Sequence, residues 1–166
     1  MANAQPQLPL VEPVYDSRYV PFLNNMAGLR FSNSSTNTSP HSRPMPALVP
    51  LYQHALPNSP GKSIVGLQVT FPPNGSTPPH RHAGAFVAVV VLSGSVLNKM
   101  NNDPMKIFHA GGTFHEMPGC HHKISDNASK TEEAVILATL VVDTEVLVRA
   151  GVAGLVEIDE EFREHL

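Results

Sequence analysis

Short apolar segments alternate with turn-forming residues along most of this chain. Val, Ile, Leu and Phe dominate the segments, and Gly, Asn or Pro separate most of them, as at Asn74-Gly75 and Pro118-Gly119. The pattern predicts strands over residues 47–53, 63–71, 86–93, 95–100, 105–109, 113–117, 120–125 and 134–142. Because many short strands joined by tight turns are typical of an antiparallel sandwich or barrel, we predict an all-β fold.

The chain divides into a turn-rich beginning and a strand-rich body. Residues 1–46 join a Pro-rich stretch to one rich in Ser and Asn, which predicts an N-terminal arm and a flexible loop. Residues 47–166 are the predicted barrel domain. Within it, the unbroken apolar run from Val135 to Val142 predicts a central strand buried on both faces. The charged residues 157–165 predict a short C-terminal helix.

Composition and charge exclude several classes of protein. A formal net charge of −3 provides no attraction for nucleic acid or for an anionic membrane. No apolar run is long enough to span a bilayer, and the first residues lack the pattern of a secretory signal. The single cysteine, Cys120, rules out an internal disulfide and indicates a reducing compartment. We therefore expect a cytoplasmic protein of one domain, with neither nucleic-acid nor membrane partners.

Two histidine-containing segments carry the candidate chemistry. His80 and His82 lie two residues apart on sequence expected to be extended, so both imidazoles point to the same face. A second pair, His121 and His122, follows the turn at Pro118-Gly119. Imidazoles are common metal ligands, and these two segments predict a metal site assembled inside a small β-barrel.

The two segments resemble the paired motifs of the cupin superfamily. The matching positions of the first motif are Gly75, His80, His82 and Gly94, and those of the second are Gly112, Pro118, Gly119, His122 and Asn127. The resemblance covers roughly residues 62–143 and implies a cupin-type antiparallel β-barrel, or jelly roll. It also implies one divalent metal ion per chain, with Fe2+ favoured over Zn2+, Mn2+ or Ni2+.

The chain departs from the cupin pattern at one metal ligand. Where cupins carry a glutamate in the first motif, this sequence has Phe86 or Val87, neither of which binds a metal. The expected ligands are therefore three histidines: His80, His82 and either His121 or His122. We favour His122 because it keeps the family's distance from Gly119, whereas His121 would point the opposite way along the strand.

Glu116 is the candidate catalytic residue. It lies two residues before Pro118, at the end of a predicted strand, where it is either a solvated edge residue or an acid or base of the pocket. If its side chain faces inward, it restores the missing carboxylate or moves a proton of the substrate. The neighbouring His115 then points outward, and Cys120 is expected to be a small apolar filler.

The cupin resemblance implies a metal-dependent enzyme that acts on a small oxygenated organic molecule, such as an aromatic compound, a diketone or a polyketide. Within this class we narrowly favour an Fe(II) oxygenase whose substrate chelates the metal. The alternatives are a non-redox decarboxylase, lyase or isomerase of specialised metabolism, and a non-catalytic small-molecule-binding protein. Small cupins usually pair, so a homodimer is also expected.

Overall fold

A computed structural model of the protein describes residues 43–163. Its strands are β1 Ala47–Ala55, β2 Lys62–Phe71, β3 Ser76–Thr77, β4 His80–Arg81, β5 Phe86–Ser93, β6 Ser95–Met100, β7 Lys106–His109, β8 Thr113–Glu116, β9 His122–Asn127, β10 Ala134–Asp143 and β11 Glu157–Ile158. The predicted arm and the part of the loop before residue 43 lie outside the described residues, as do residues 164–166 at the end of the predicted helix.

The strands form two antiparallel sheets. One has the order β1-β2-β10-β5-β8, and the other has the order β11-β4-β9-β6-β7, with β3 also paired to β9. Every pairing is antiparallel, and the crossovers between the sheets are those of a jelly roll. The prediction of an all-β antiparallel barrel is therefore confirmed.

The core fills the space between the two sheets. Alternate side chains of β2, β5 and β10 point inward, and among them Val65, Val91 and Leu140 are almost completely buried. The central position predicted for β10 is correct, since it lies between β2 and β5. Its burial is less than predicted, because only every second residue is fully buried and the alternate residues face a partly open outer surface.

The chain after β10 differs from the prediction. A helix, α1, spans Thr144–Ala150, and a 3-10 turn, Val152–Leu155, follows it. The predicted short C-terminal helix is present as α2, Glu160–Arg163, but it begins later than residue 157, because Glu157–Ile158 form a short strand, β11. The strand forms because Glu157 and Ile158 pair with β4, so tertiary pairing overrides the local helical pattern. No helix within residues 43–163 is both long enough and apolar enough to cross a membrane.

Asn127, the last residue of β9, links the end of β2 to the loop before β10. Its side-chain NH2 donates to the backbone oxygens of Phe71, Pro72 and Glu132, and its side-chain oxygen accepts from the Ser129 amide. Nearly all hydrogen-bonding capacity of this buried amide is used. The asparagine of the second motif thus has a structural role: its hydrogen bonds hold one end of the strand on which His122 lies.

Candidate metal centre

Strand pairing brings the two histidine-containing segments together. His80 lies on β4 and is directly opposite His122 on β9, so both side chains leave the sheet on the same face. On the other side of β4, His80 is directly opposite Ile158 of β11. The strand that carries the first histidine is therefore held between two neighbours, and its side chain has a fixed direction.

An irregularity in the register of β6 and β9 sets the direction of His122. Lys99 pairs with Ile124, but Met100 pairs with His122, so β9 contributes one extra residue at this point. Such a bulge shifts the alternation of side chains between the two faces. As a result both His122 and Ser125 are buried, although three positions separate them.

Three imidazole rings converge at the end of the barrel. The His80 ring centroid lies 4.8 Å from that of His82 and 5.0 Å from that of His122. One nitrogen from each ring is available as a ligand, and the three nitrogens lie within 4.8 Å of one another. His80 is 3% exposed and His122 is 4% exposed, so the cluster is closed to bulk water on most sides.

Backbone carbonyls fix the ring orientation of two of the histidines. Nδ1 of His80 lies 2.7 Å from the Pro78 oxygen, and Nδ1 of His82 lies 3.0 Å from the Leu155 oxygen. A carbonyl only accepts, so each Nδ1 must carry the proton and donate it. In the neutral rings both Nε2 atoms then carry a free lone pair, which is the state a metal ligand requires.

His122 has a different neighbour, the buried side chain of Asn98. Its Nε2 lies 3.1 Å from the amide group of Asn98, on β6. In the structure the amide NH2 faces Nε2. With the amide turned over, so that its oxygen faces Nε2, the ring donates there and leaves Nδ1 free. Sequence analysis did not find Asn98, although a polar residue at an inward position of a predicted strand was the available signal.

Glu116 points into the same cluster from the end of β8. Its Oε2 lies 3.2 Å from His82 Nε2, its Oε1 lies 3.3 Å from His122 Nδ1, and the residue is 3% exposed. The contacts are within ion-pair distance but lack the alignment of hydrogen bonds. Consequently His82 Nε2, His122 Nδ1 and Glu116 Oε2 are buried with no hydrogen-bond partner in residues 43–163.

Unpartnered buried polar atoms are costly, at about 1–3 kcal/mol each. Here three of them, belonging to three different side chains, face one another. Imidazole nitrogens and a carboxylate are the donors that bind Fe2+, Mn2+, Ni2+ and Zn2+ in proteins. The donor set and its unsatisfied atoms therefore fit one divalent cation.

Burial and mutual contact shift the pKa values of the cluster. Burial, together with the nearby His82 and His122, lowers the pKa of His80 from 6.5 to about 3, so this ring is neutral at physiological pH. Burial also disfavours charge on His82, but the contact with Glu116 outweighs it and raises the His82 pKa above 6.5. Burial opposes ionisation of Glu116 too, yet the contacts with His122 and His82 hold its pKa below the usual value of 4.5.

These pKa shifts predict how metal affinity depends on pH. A metal ion must displace the proton that His82 holds at any pH below its raised pKa, so each unit of acidification costs about tenfold in affinity at this residue. His80, with a pKa of about 3, adds no loss above about pH 4. Calorimetric titration with Zn2+ should show affinity falling at least tenfold between about pH 6 and pH 5. An affinity that does not change over this range would contradict the assignment of His82.

The other candidate residues lie away from the cluster. The His121 ring, the alternative third ligand, donates from Nε2 to Asp159 Oδ2 at 2.8 Å and is not part of the cluster. Cys120 Sγ lies 3.5 Å from the Asn101 amide nitrogen and is half-buried, so it is not an apolar core residue. His115 stacks on Phe86 outside the barrel, with ring centroids 5.9 Å apart, which is the outward direction expected for it.

A comparison with protein families identifies the domain that holds these residues. The family model for the cupin domain matches residues 67–143, which include His80, His82, Glu116 and His122. No curated protein sequence shows significant similarity to this chain.

Solved structures with a similar fold include three of different kinds. An oxalate oxidase in complex with the substrate analogue glycolate is 24% identical, with a TM-score of 0.43, over 52% of this chain and 49% of that one. The cupin domain of Cnp3 from Schizosaccharomyces pombe is 18% identical, with a TM-score of 0.48, over 64% and 67%. A structure of the DMSP lyases RdDddP and RnDddQII is 16% identical, with a TM-score of 0.46, over 58% and 44%. The chain thus spans about half the length of the oxalate oxidase, and at these scores the three structures say nothing about its activity.

Proposed function

We propose that this chain, in which residues 67–143 match the cupin domain, is a metal-dependent enzyme acting on a small oxygenated organic molecule, specifically an Fe(II) oxygenase. One observation carries the proposal. Buried imidazoles from two distant segments converge with a carboxylate, and three of their polar atoms have no other partner in the described residues. This arrangement supports a resident cation, because burial without one leaves those atoms unsatisfied.

The residues that would hold the metal ion are His80, His82 and His122, with Glu116 beside them. When bound, the ion would act as a Lewis acid and as a template for an anionic, chelating substrate and O2. The protein's part is to orient the rings, through Pro78 and Leu155 for the first two histidines, while burial keeps His80 neutral. Burial excludes water from the same region, which strengthens electrostatic interactions there.

The surroundings of the site favour an apolar substrate that binds through the metal. On the strands next to Glu116, the inward positions are apolar, with Val87 opposite Glu116 and Val89 opposite Phe114. The buried polar residues in the described part of the chain include no Lys or Arg. An anionic substrate group would therefore find its positive partner in the metal ion. An enolised diketone or a catecholate meets both requirements.

Oxygen consumption tests the proposed activity. The protein would be loaded with Fe(II) without oxygen, and O2 uptake would be followed after adding β-diketones or catechols. In a dioxygenase reaction both oxygen atoms enter the substrate, which supplies all the electrons, so we expect one O2 consumed per substrate without an added reductant. Substrate consumption without O2 uptake would exclude the oxygenase, and binding without consumption would exclude catalysis on these compounds.

A non-redox decarboxylase, lyase or isomerase is the second candidate. It is favoured by the position of Glu116, whose carboxylate is buried beside His82 and His122, where it could carry a substrate proton. In this case the metal ion would stabilise an enolate, and Zn2+ or Mn2+ would support the reaction as well as Fe2+. Product formation by the Zn2+-loaded protein in the absence of oxygen would distinguish this function from the first.

A further inference from the structure

The carboxylate that cupins place in the first motif is missing from β5, and the structure indicates where its replacement lies. Of the two residues at that position, Phe86 stacks on His115 on the outer surface and faces away from the metal centre. Val87 faces inward and is 1% exposed. Residue 87 is therefore the position from which a glutamate on β5 would reach the cluster.

Glu116 is directly opposite Val87. The two residues are paired across β5 and β8, and both side chains are buried on the inner face. Directly opposed residues of an antiparallel pair have Cβ atoms about 4.5–5.5 Å apart. A carboxylate on residue 116 therefore reaches nearly the same region as one on residue 87 would.

The contacts of Glu116 suit a ligand better than a free base. His82 donates through Nδ1 to a carbonyl, so in the neutral ring the lone pair of Nε2 faces Glu116 Oε2 at 3.2 Å. A lone pair and a carboxylate repel each other at this distance unless a proton or a cation lies between them. His122 Nδ1 faces the other carboxylate oxygen at 3.3 Å, so the same cation would satisfy both contacts.

We propose that Glu116 is a fourth protein ligand of the metal ion, supplied from β8 in place of the first-motif glutamate on β5. The inference rests on the proposed metal centre. It assigns a site of three imidazoles and one carboxylate for a divalent cation, with a net charge of about +1 in place of the +2 of a three-histidine site.

Exchanging the two residues tests this assignment. The test variants are Glu116→Gln, Glu116→Val and a double variant, Val87→Glu with Glu116→Val, which is called the exchange variant. Glu145→Gln, on the surface of α1, is the control. The measurements are Zn2+ and Mn2+ affinity by calorimetry, the Mn2+ electron paramagnetic resonance spectrum, and circular dichroism to check folding. Removing a residue that only hydrogen-bonds to a metal ligand costs about 10–100-fold in metal affinity. Because Glu116 is proposed to be a ligand itself, we expect Glu116→Gln and Glu116→Val to weaken binding by about 100-fold or more.

The exchange variant should recover affinity to within about tenfold of wild type, since it returns a carboxylate to the same region from the opposite strand. Wild-type affinity and an unchanged Mn2+ spectrum in Glu116→Gln would overturn the inference and leave a three-histidine centre intact. A wild-type protein that binds no metal ion would instead overturn the proposed function. If the exchange variant does not fold, Glu116→Gln, which keeps the shape of the side chain, decides the question alone.

Discussion

Replacing His82 with Ala should abolish metal binding. Wild-type protein purified with added Fe2+ or Zn2+ is expected to contain close to one ion per chain, and His82→Ala close to none. The substitution removes Nε2, one of the three imidazole donors, together with its 3.2 Å contact to Glu116 Oε2. Changing a residue that only hydrogen-bonds to a metal ligand already lowers metal affinity about 10–100-fold, so removing the ligand itself should lower it more than about 100-fold. Elemental analysis and calorimetry measure both quantities.

His115→Ala is the matched control for this experiment. His115 is adjacent to Glu116 in the sequence but is exposed and stacks on Phe86 outside the barrel. It should retain the metal content of wild type, which separates loss of a ligand from a general effect of removing a histidine. Equal metal content in His82→Ala and in wild type would show that the cation, if any, binds elsewhere.

Replacing Gly94 with Ala should strongly destabilise the fold. Gly94 has a φ of +71°, and a Cβ atom there would lie 2.6 Å from the Glu133 oxygen and 2.8 Å from the Ala134 Cα. The left-handed conformation costs an L-residue about 1–2 kcal/mol, and overpacking against rigid backbone adds about 1–3 kcal/mol. Denaturant unfolding of the metal-free protein should therefore show a loss of roughly 2–5 kcal/mol in the free energy of unfolding.

Gly111→Ala isolates the conformational part of this cost. Gly111 has a φ of +82°, but a Cβ atom there would meet no atom within 4 Å. Its substitution should cost only about 1–2 kcal/mol. If both variants lose the same free energy, the close approach of Gly94 to β10 contributes nothing to stability.

The sequence allowed the main strands to be predicted because their boundaries are local. β5 and β6 have the predicted bounds, since Gly94 separates the Val-rich run of β5 from the segment that follows. The short strands β3, β4 and β11 were not predicted because two residues have no periodicity. They are strands only because a neighbour pairs with them, as Ile158 does with His80.

For the candidate site, the sequence predicted which side chains take part, but not the strand register that brings them together or the hydrogen bonds that orient them. The spacing of His80 and His82 placed both on one face, and the distance from Gly119 favoured His122 over His121, the choice that the structure also brings into the cluster. The opposition of Val87 and Glu116 depends on the register of β5 and β8, which no local pattern reveals. The carbonyl of Leu155 has no residue-type signal at all, because every residue has one.

The hydrogen bond from His82 to Leu155 determines when the site can be completed during biosynthesis. The carbonyl lies 73 positions after the histidine in the chain. On the ribosome, His82 is therefore exposed well before its orienting partner has been translated, and the ring has no fixed tautomer during that interval. A cation that needs the His82 ring in this orientation can bind only after Leu155 has been synthesised.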